Sequence, residues 1–142
     1  MAEAAAARGL DLVKFCAPVE ADIALMEPEA QRAFLSEYGV SEPARVRLIR
    51  TAYHALNLIS FFTVGEDEVR AWTITRGTVA HEAAGKIHTD LERGFIRAEV
   101  VPAETLLAAG SLARCREAGT LRIEGKDYVV QDGDVVHVRF SV

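Results

Sequence analysis

Cysteine is scarce in this sequence: Cys16 and Cys115 are the only two, they lie far apart, and neither has a CxxC partner. A disulfide framework or a structural zinc site is therefore not expected. No stretch approaches the roughly 18 apolar residues of a membrane span. The N-terminal MAEAAAARGLDL is rich in alanine, but it contains Glu3 and has no basic segment ahead of an apolar core, so it does not read as a secretory leader. These absences point to a cytoplasmic protein with no membrane partner. Positive charge is also in deficit, with 16 basic against 21 acidic residues and a formal net charge of -5. A global electrostatic grip on nucleic acid does not fit that balance, and any phosphate contact has to come from a local basic patch.

Catalytic motifs are missing as well. A phosphate-cradling loop needs G-x-x-x-x-G-K-[ST] between a strand and a helix, so that backbone N–H groups meet the anion. Gly85-Lys86 is followed by Ile87 and falls at the end of a predicted helix, where the dipole has the wrong sign for phosphate. Gly125-Lys126 is followed by Asp127 in a predicted hairpin. His81-Glu82 opens like a zinc-protease helix, but Gly85 stands where the second histidine belongs. His88, Asp90 and His137 imitate a two-histidine, one-carboxylate set, yet they belong to separate predicted elements. Cys115 has Arg114 and Arg116 beside it but no histidine near it in sequence. The chain is expected to be no enzyme and to carry no cofactor or metal.

What the sequence does have is a large apolar fraction, half of its 142 residues, enough for one domain, or one small domain with an attached segment. Leu10 to Ala17 is strand-like and ends at Pro18. From Val19 to Asn57 the pattern is helical: Val19, Ile23 and Met26 mark one short helix, and Pro28 opens the next, with Gly39 as its C-cap. Ser41 is the N-cap candidate of a third, which carries Val46, Ile49, Tyr53 and Leu56. Leu58 to Thr63 and Val69 to Thr75 then read as a hairpin turned at Gly65, with Trp72 and Ile74 toward the core and Thr73 and Thr75 away from it. Val79, Ala83 and Ile87 recur every four residues beside Ala84, the period of a helix laid on a sheet.

Gly94 to Val101 alternates as a third strand, with Ile96, Ala98 and Val100 on one face and Phe95, Arg97 and Glu99 on the other. On that reading Phe95 is the one candidate base platform, although burial under the following helices is the stronger expectation. Pro102 opens a short helix to Leu107, and Ser111 caps a further turn ending at Gly119. Leu121 to Ile123, Tyr128 to Gln131 and Val135 to Val142 close the chain as strands, joined through the turn residues Gly125-Lys126 and Asp132-Gly133-Asp134. A mixed sheet of about five strands with one helix clasped across it follows. This is an α+β, β-grasp plan.

Recognition is the chemistry left over. Arg76, at the end of the second strand, and Lys86, His88 and Arg93, around the loop after the helix, are expected to converge on one rim and hold RNA phosphates through salt-sensitive contacts. Arg97 and Glu99 read as a solvated strand face.

The segments RAWTITRGT, AAGKIHTDLERGFIRAEV and LRIEGKDYVVQDGDVVHVRF resemble the C-terminal half of the YchF/EngD-type Obg-like nucleotide hydrolases, which ends in a TGS domain. The likeness runs from about Ala17 to Val142 in matching order and spacing. It implies a strand remnant and helical segment over 1–57 and a TGS-like β-grasp domain over 58–142. In the family the Leu10 to Ala17 strand belongs to the nucleotide-binding domain and leads into a Ser-Ala-Lys loop at the base. Cys16, Ala17 and Pro18 stand there in this chain, and only the alanine agrees. Residues 1–16 are accordingly expected to be frayed or repacked. The resemblance implies a non-catalytic module that contacts RNA or the ribosome, without a hydrolase domain of its own. Its rivals are the C-terminal piece of a nucleotide hydrolase, partnered by that domain, and a protein–protein adaptor that uses a sheet edge.

Overall fold

The computed structural model describes residues 2–65 and 67–141. They divide into two compact units between Leu56 and Asn57.

The first unit is helical: α1 (Ala2–Ala6), α2 (Ala17–Ala24), α3 (Pro28–Glu37) and α4 (Ala44–Ala55). Proline lies in the first turn of both α2 and α3, where its missing N–H breaks no helical bond. Gly39 ends α3 at a left-handed φ of 65°, its N–H bonding Ser36 O at 3.1 Å while Val40 N–H bonds Leu35 O at 2.9 Å. That pair of bonds satisfies the last carbonyls of the helix. Ser41 does not cap α4. Pro43 is its N-cap residue, and the Glu20 carboxylate of α2 accepts the Ala44 N–H at 2.9 Å, so the cap comes from a neighbouring helix. Leu10 to Cys16 is not a strand but irregular chain. A lone strand needs a ladder partner, and the described residues of this unit contain no other extended segment. Its Asp11 meets His54 of α4 at 3.1 Å.

The second unit carries the sheet. Its elements are β1 (Leu58–Val64), β2 (Val69–Thr75), α5 (Ala80–Ile87), α6 (Thr89–Arg93), β3 (Phe95–Pro102), α7 (Ala103–Ala109), α8 (Leu112–Glu117), β4 (Arg122–Glu124) and β5 (Asp134–Phe140). The five strands run in the order β2-β1-β5-β3-β4. Only β1 and β5 are parallel; the other pairs are antiparallel. This is the α+β, β-grasp arrangement, with α5 lying across one face.

Period-two alternation sorts the apolar residues to the two faces. Ile59, Phe61, Ile74, Ala98, Val100 and Val136 meet Ala80, Ala83 and Ala84 of α5 in the main core. Alanine at the contact lets helix and sheet approach closely, and each fully buried Ile, Val or Phe contributes about 1.5–3 kcal/mol over exposure. On the opposite face Val101 and Val135 meet Cys115 of α8, with Phe62, Val64, Leu106 and Leu112 packed around them. The tail between β4 and β5 serves α5: Ala80 N–H bonds Tyr128 O at 2.8 Å and His81 N–H bonds Lys126 O at 3.3 Å. Tyr128 to Gln131 is therefore not a strand; it holds a single bridge, Val79 to Val129.

The third strand departs from simple alternation. Phe95 pairs with Phe140 and Arg97 with Arg139, so Ile96 is one residue extra in β3, a β-bulge. The bulge returns Phe95 to the α5 face, where it is buried against the edge of the His81 ring, 6.0 Å between centroids. Ile96 is exposed instead. Phe95 is a core residue and offers no base platform.

Candidate recognition surface

Four basic side chains are of interest at the ends of α5 and α6. Arg76 follows β2 directly, and its N–H bonds Asn57 O at 2.8 Å, at the end of the sheet where β1 begins. Lys86 lies in the last turn of α5, His88 is the N-cap of α6, and Arg93 is its last residue. Ser141 N–H bonds Gly94 O at 2.9 Å, which fixes this end of α6 beside the end of β5. Because β1 and β5 are parallel, the start of one and the finish of the other are opposite ends of the sheet. The structure thus gathers Lys86, His88 and Arg93 around α6 and places Arg76 at the far end of α5, whose eight residues span about 12 Å.

Around α6 the groups are accessible but partly engaged. The His88 Nδ1 accepts the Asp90 N–H at 3.1 Å, capping the helix, and its side chain is 64% exposed. Arg93 pairs with Asp90 at 3.3 Å and remains 73% exposed. Lys86 is exposed. At this accessibility the Arg93–Asp90 pair is worth no more than about 1 kcal/mol and can exchange for another anion. The first N–H groups of α5 already donate to Tyr128 and Lys126 carbonyls, so that helix start is not open to phosphate.

A second basic group, unanticipated as a cluster, lies on the outer face of the sheet. Arg97 and Arg139 are directly opposite one another on β3 and β5, and Glu99 is opposite His137. Like charges in facing positions repel. Arg139 instead reaches diagonally to Glu99, Nε to Oε1 at 3.2 Å, and Arg116 of α8 donates to Glu99 Oε2 at 3.0 Å. Partial burial alone would raise the Glu99 carboxyl; the bonds and charges of Arg139 and Arg116 outweigh it and hold the group below the usual carboxylate range. Period two in IRAEV and VVHVRF is the signal that could have put Arg97 with Glu99 and His137 with Arg139. That β3 and β5 pair, and that α8 folds back over them, is not written in either segment.

The imitations of catalytic motifs resolve as structure. His88 accepts the Asp90 N–H and the Asp90 carboxylate pairs with Arg93, while His137 lies on the outer face of the sheet. Among the described residues no group of three His, Cys, Asp or Glu is placed to hold a metal ion. Asp132 accepts the Ser60 N–H at 2.9 Å. Asp134, buried, accepts the Tyr128 hydroxyl at 2.7 Å and the Gln131 N–H at 2.9 Å. Burial first, and then donation to Asp134, raises the Tyr128 phenol against the opposing effect of Arg122. Both aspartates lock the turn into β5.

Residues 58–141, the sheet unit almost entire, match the family model YchF-GTPase_C, described as a protein of unknown function, DUF933. The chain belongs to the YchF GTPase C-terminal family. It is 51% identical over 140 residues to a protein of Bacillus subtilis named ribosome-binding ATPase YchF, covering 99% of this chain and 38% of that one. Against the Obg-like ATPase 1 of Caenorhabditis elegans it is 44% identical over 133 residues, 94% of this chain and 33% of that protein. The solved structure of the Schizosaccharomyces pombe YchF GTPase superposes with a TM-score of 0.72 at 38% identity, over 83% of this chain and 31% of the other. The chain thus spans about two fifths of the length of the bacterial YchF relatives it matches, 38–39%. No helix among the described residues is long and apolar enough to cross a membrane.

Proposed function

We propose that this YchF-type chain is a non-catalytic recognition module that contacts RNA of the ribosome, in the cytoplasm, through the exposed cations at the end of α5 and α6. The observation that carries the reading is the grouping of Lys86, His88 and Arg93, exposed and weakly paired, in a chain half identical to proteins named for ribosome binding. Arg76, at the other end of α5, supplies at most a separate contact. Each exposed cation that meets a phosphate releases counterions, so binding falls with salt. Co-sedimentation of the chain with ribosomal subunits at about 50 and about 150 mM salt tests this. Salt-sensitive co-sedimentation supports it, and none at either salt refutes it.

A second reading is favoured by coverage: the chain acts as the C-terminal part of a nucleotide hydrolase, since the bacterial relatives are more than twice its length. Activity would then reside in the hydrolase domain, and no residue of the present chain would take part in turnover. An in-frame G-x-x-x-x-G-K-[ST] upstream of Met1 in the DNA would support this reading, and a stop codon there would exclude it.

A further inference from the structure

The helical unit takes no part in the recognition surface proposed above, yet it holds an unpaired charge. Arg47 of α4 is partly buried, its Nε is wholly so, and among the described residues its guanidinium has no hydrogen-bond or ion-pair partner. Buried polar groups in folded chains are nearly always bonded, so an orphaned donor on a permanent cation calls for an acceptor from outside. Arg47 lines a cavity of about 420 Å³ bounded by α2, α3, α4 and the chain from Lys14 to Cys16. Buried Ile23 and Leu35 line it together with Val19 and Val40. Phe34 and Tyr38, whose ring centroids lie 4.7 Å apart, give it an aromatic wall, and the exposed Phe15 adds a third ring. Lys14 and Arg47 are the cations of the described lining and Glu20 its one carboxylate, which already accepts the Ala44 N–H at 2.9 Å. The cavity is thus apolar and ring-lined, with two cations against one engaged anion.

We propose that this cavity binds a small aromatic carboxylate, its ring against Phe34 and Tyr38 and its carboxylate on Arg47. A planar guanidinium meets a carboxylate with two parallel N–H donors, and tilted or offset ring contacts suit a flat apolar body. Phosphate is the poorer match. It favours a cradle of backbone N–H groups, whereas Pro18 removes one from the first turn of α2 and the Ala44 N–H at the start of α4 goes to Glu20. A volume near 420 Å³ lies within the range of small-molecule sites. Leaving Arg47 unpaired lowers the stability of the empty chain, a cost that a binding site carries and a purely structural arginine does not.

Titration calorimetry of the full 142-residue chain with naphthylacetate tests the proposal, with the neutral naphthylacetamide, inorganic phosphate and ATP as companions. The acid is expected to bind with a Kd below about 1 mM, and at least about tenfold more tightly than any companion. Arg47→Met should bring acid and amide within about threefold of each other and leave the urea midpoint of the unliganded chain unchanged or raised. Arg47→Lys, which keeps the charge and loses the planar fork, should weaken the acid about fivefold or more and spare the amide. Amide shifts on binding should fall on Val19, Ile23, Phe34, Leu35 and Val40. Equal affinity for acid and amide, no saturable binding of the acid, or tighter binding of phosphate or ATP would overturn it. So would a lowered midpoint in Arg47→Met or an unchanged preference in Arg47→Lys. Because ribosome co-sedimentation relies on Lys86, His88 and Arg93 of the sheet unit, either result can fail without the other.

Discussion

Glu99 holds together two elements that the sequence separates, since Arg139 of β5 and Arg116 of α8 both bond its carboxylate, which is 12% exposed. Its pKa is lowered in the folded chain, so its contribution to stability is present above the ordinary value of 4.5 and is lost as pH falls through the lower folded value. Glu99→Gln should therefore cost stability at neutral pH and flatten the acid dependence. Thermal unfolding between about pH 5 and pH 3 should show a shallower loss in the variant than in the parent; parallel curves would mean the pair contributes nothing. Tyr128 behaves in the opposite sense. Its raised phenol stabilises the fold below the ordinary value of 10 and loses that contribution as pH rises through the higher folded value. At the bulge two neighbours should diverge sharply. Phe95→Ala, in the core, should cost about 3–5 kcal/mol in urea unfolding, and the exposed Ile96→Ala less than about 1. Similar costs at both would contradict the bulge.

At the scale of elements, α6 is held to the sheet by backbone as well as by Leu91, which packs against the main core. Gly94 bonds Ser141, and a Cβ at position 94 would press into the Ser141 carbonyl and stand 3.2 Å from Asp90 O. Gly94→Ala should displace the end of β5 and lower stability by about 1–3 kcal/mol, measured by urea denaturation; a neutral result would show that this junction is loose. The elements themselves were largely legible. The hairpin, α5, the Gly39 cap and the final strand follow from period and turn chemistry that local residues carry. Four features were not, each for a tertiary reason. Tyr128 to Gln131 holds one bridge to Val79 and caps the start of α5 in place of forming a strand. Ile96 breaks alternation only because Phe95 finds a core beneath α5. Leu10 to Cys16 has strand composition but no ladder. Ser41 loses the cap of α4 to Glu20, a residue 24 positions from Ala44. Family likeness had already implied the β-grasp plan, which period alone supports without fixing the β2-β1-β5-β3-β4 order.

For the whole molecule, net charge and local charge point in different directions. The chain is acidic overall, yet the exposed cations Lys86 and Arg93 stand at the end of α5 and α6 beside Asp90 and Glu92, and on the outer face of β3 and β5 three arginines stand around Glu99. On the proposed function a negative molecule meets RNA with one small region, and binding should then depend on few side chains. Sequence order suggested a single rim made of Arg76, Lys86, His88 and Arg93; the strand directions divide it, because the helix between them crosses the sheet. This division gives the account its most direct test. Ribosomal subunits are sedimented with the parent chain, with Arg76→Ala, and with Lys86→Ala/Arg93→Ala, at about 50 mM salt. The double variant is expected to lose about tenfold or more in affinity while Arg76→Ala stays within about threefold of the parent. Loss with Arg76→Ala and retention in the double variant would contradict it.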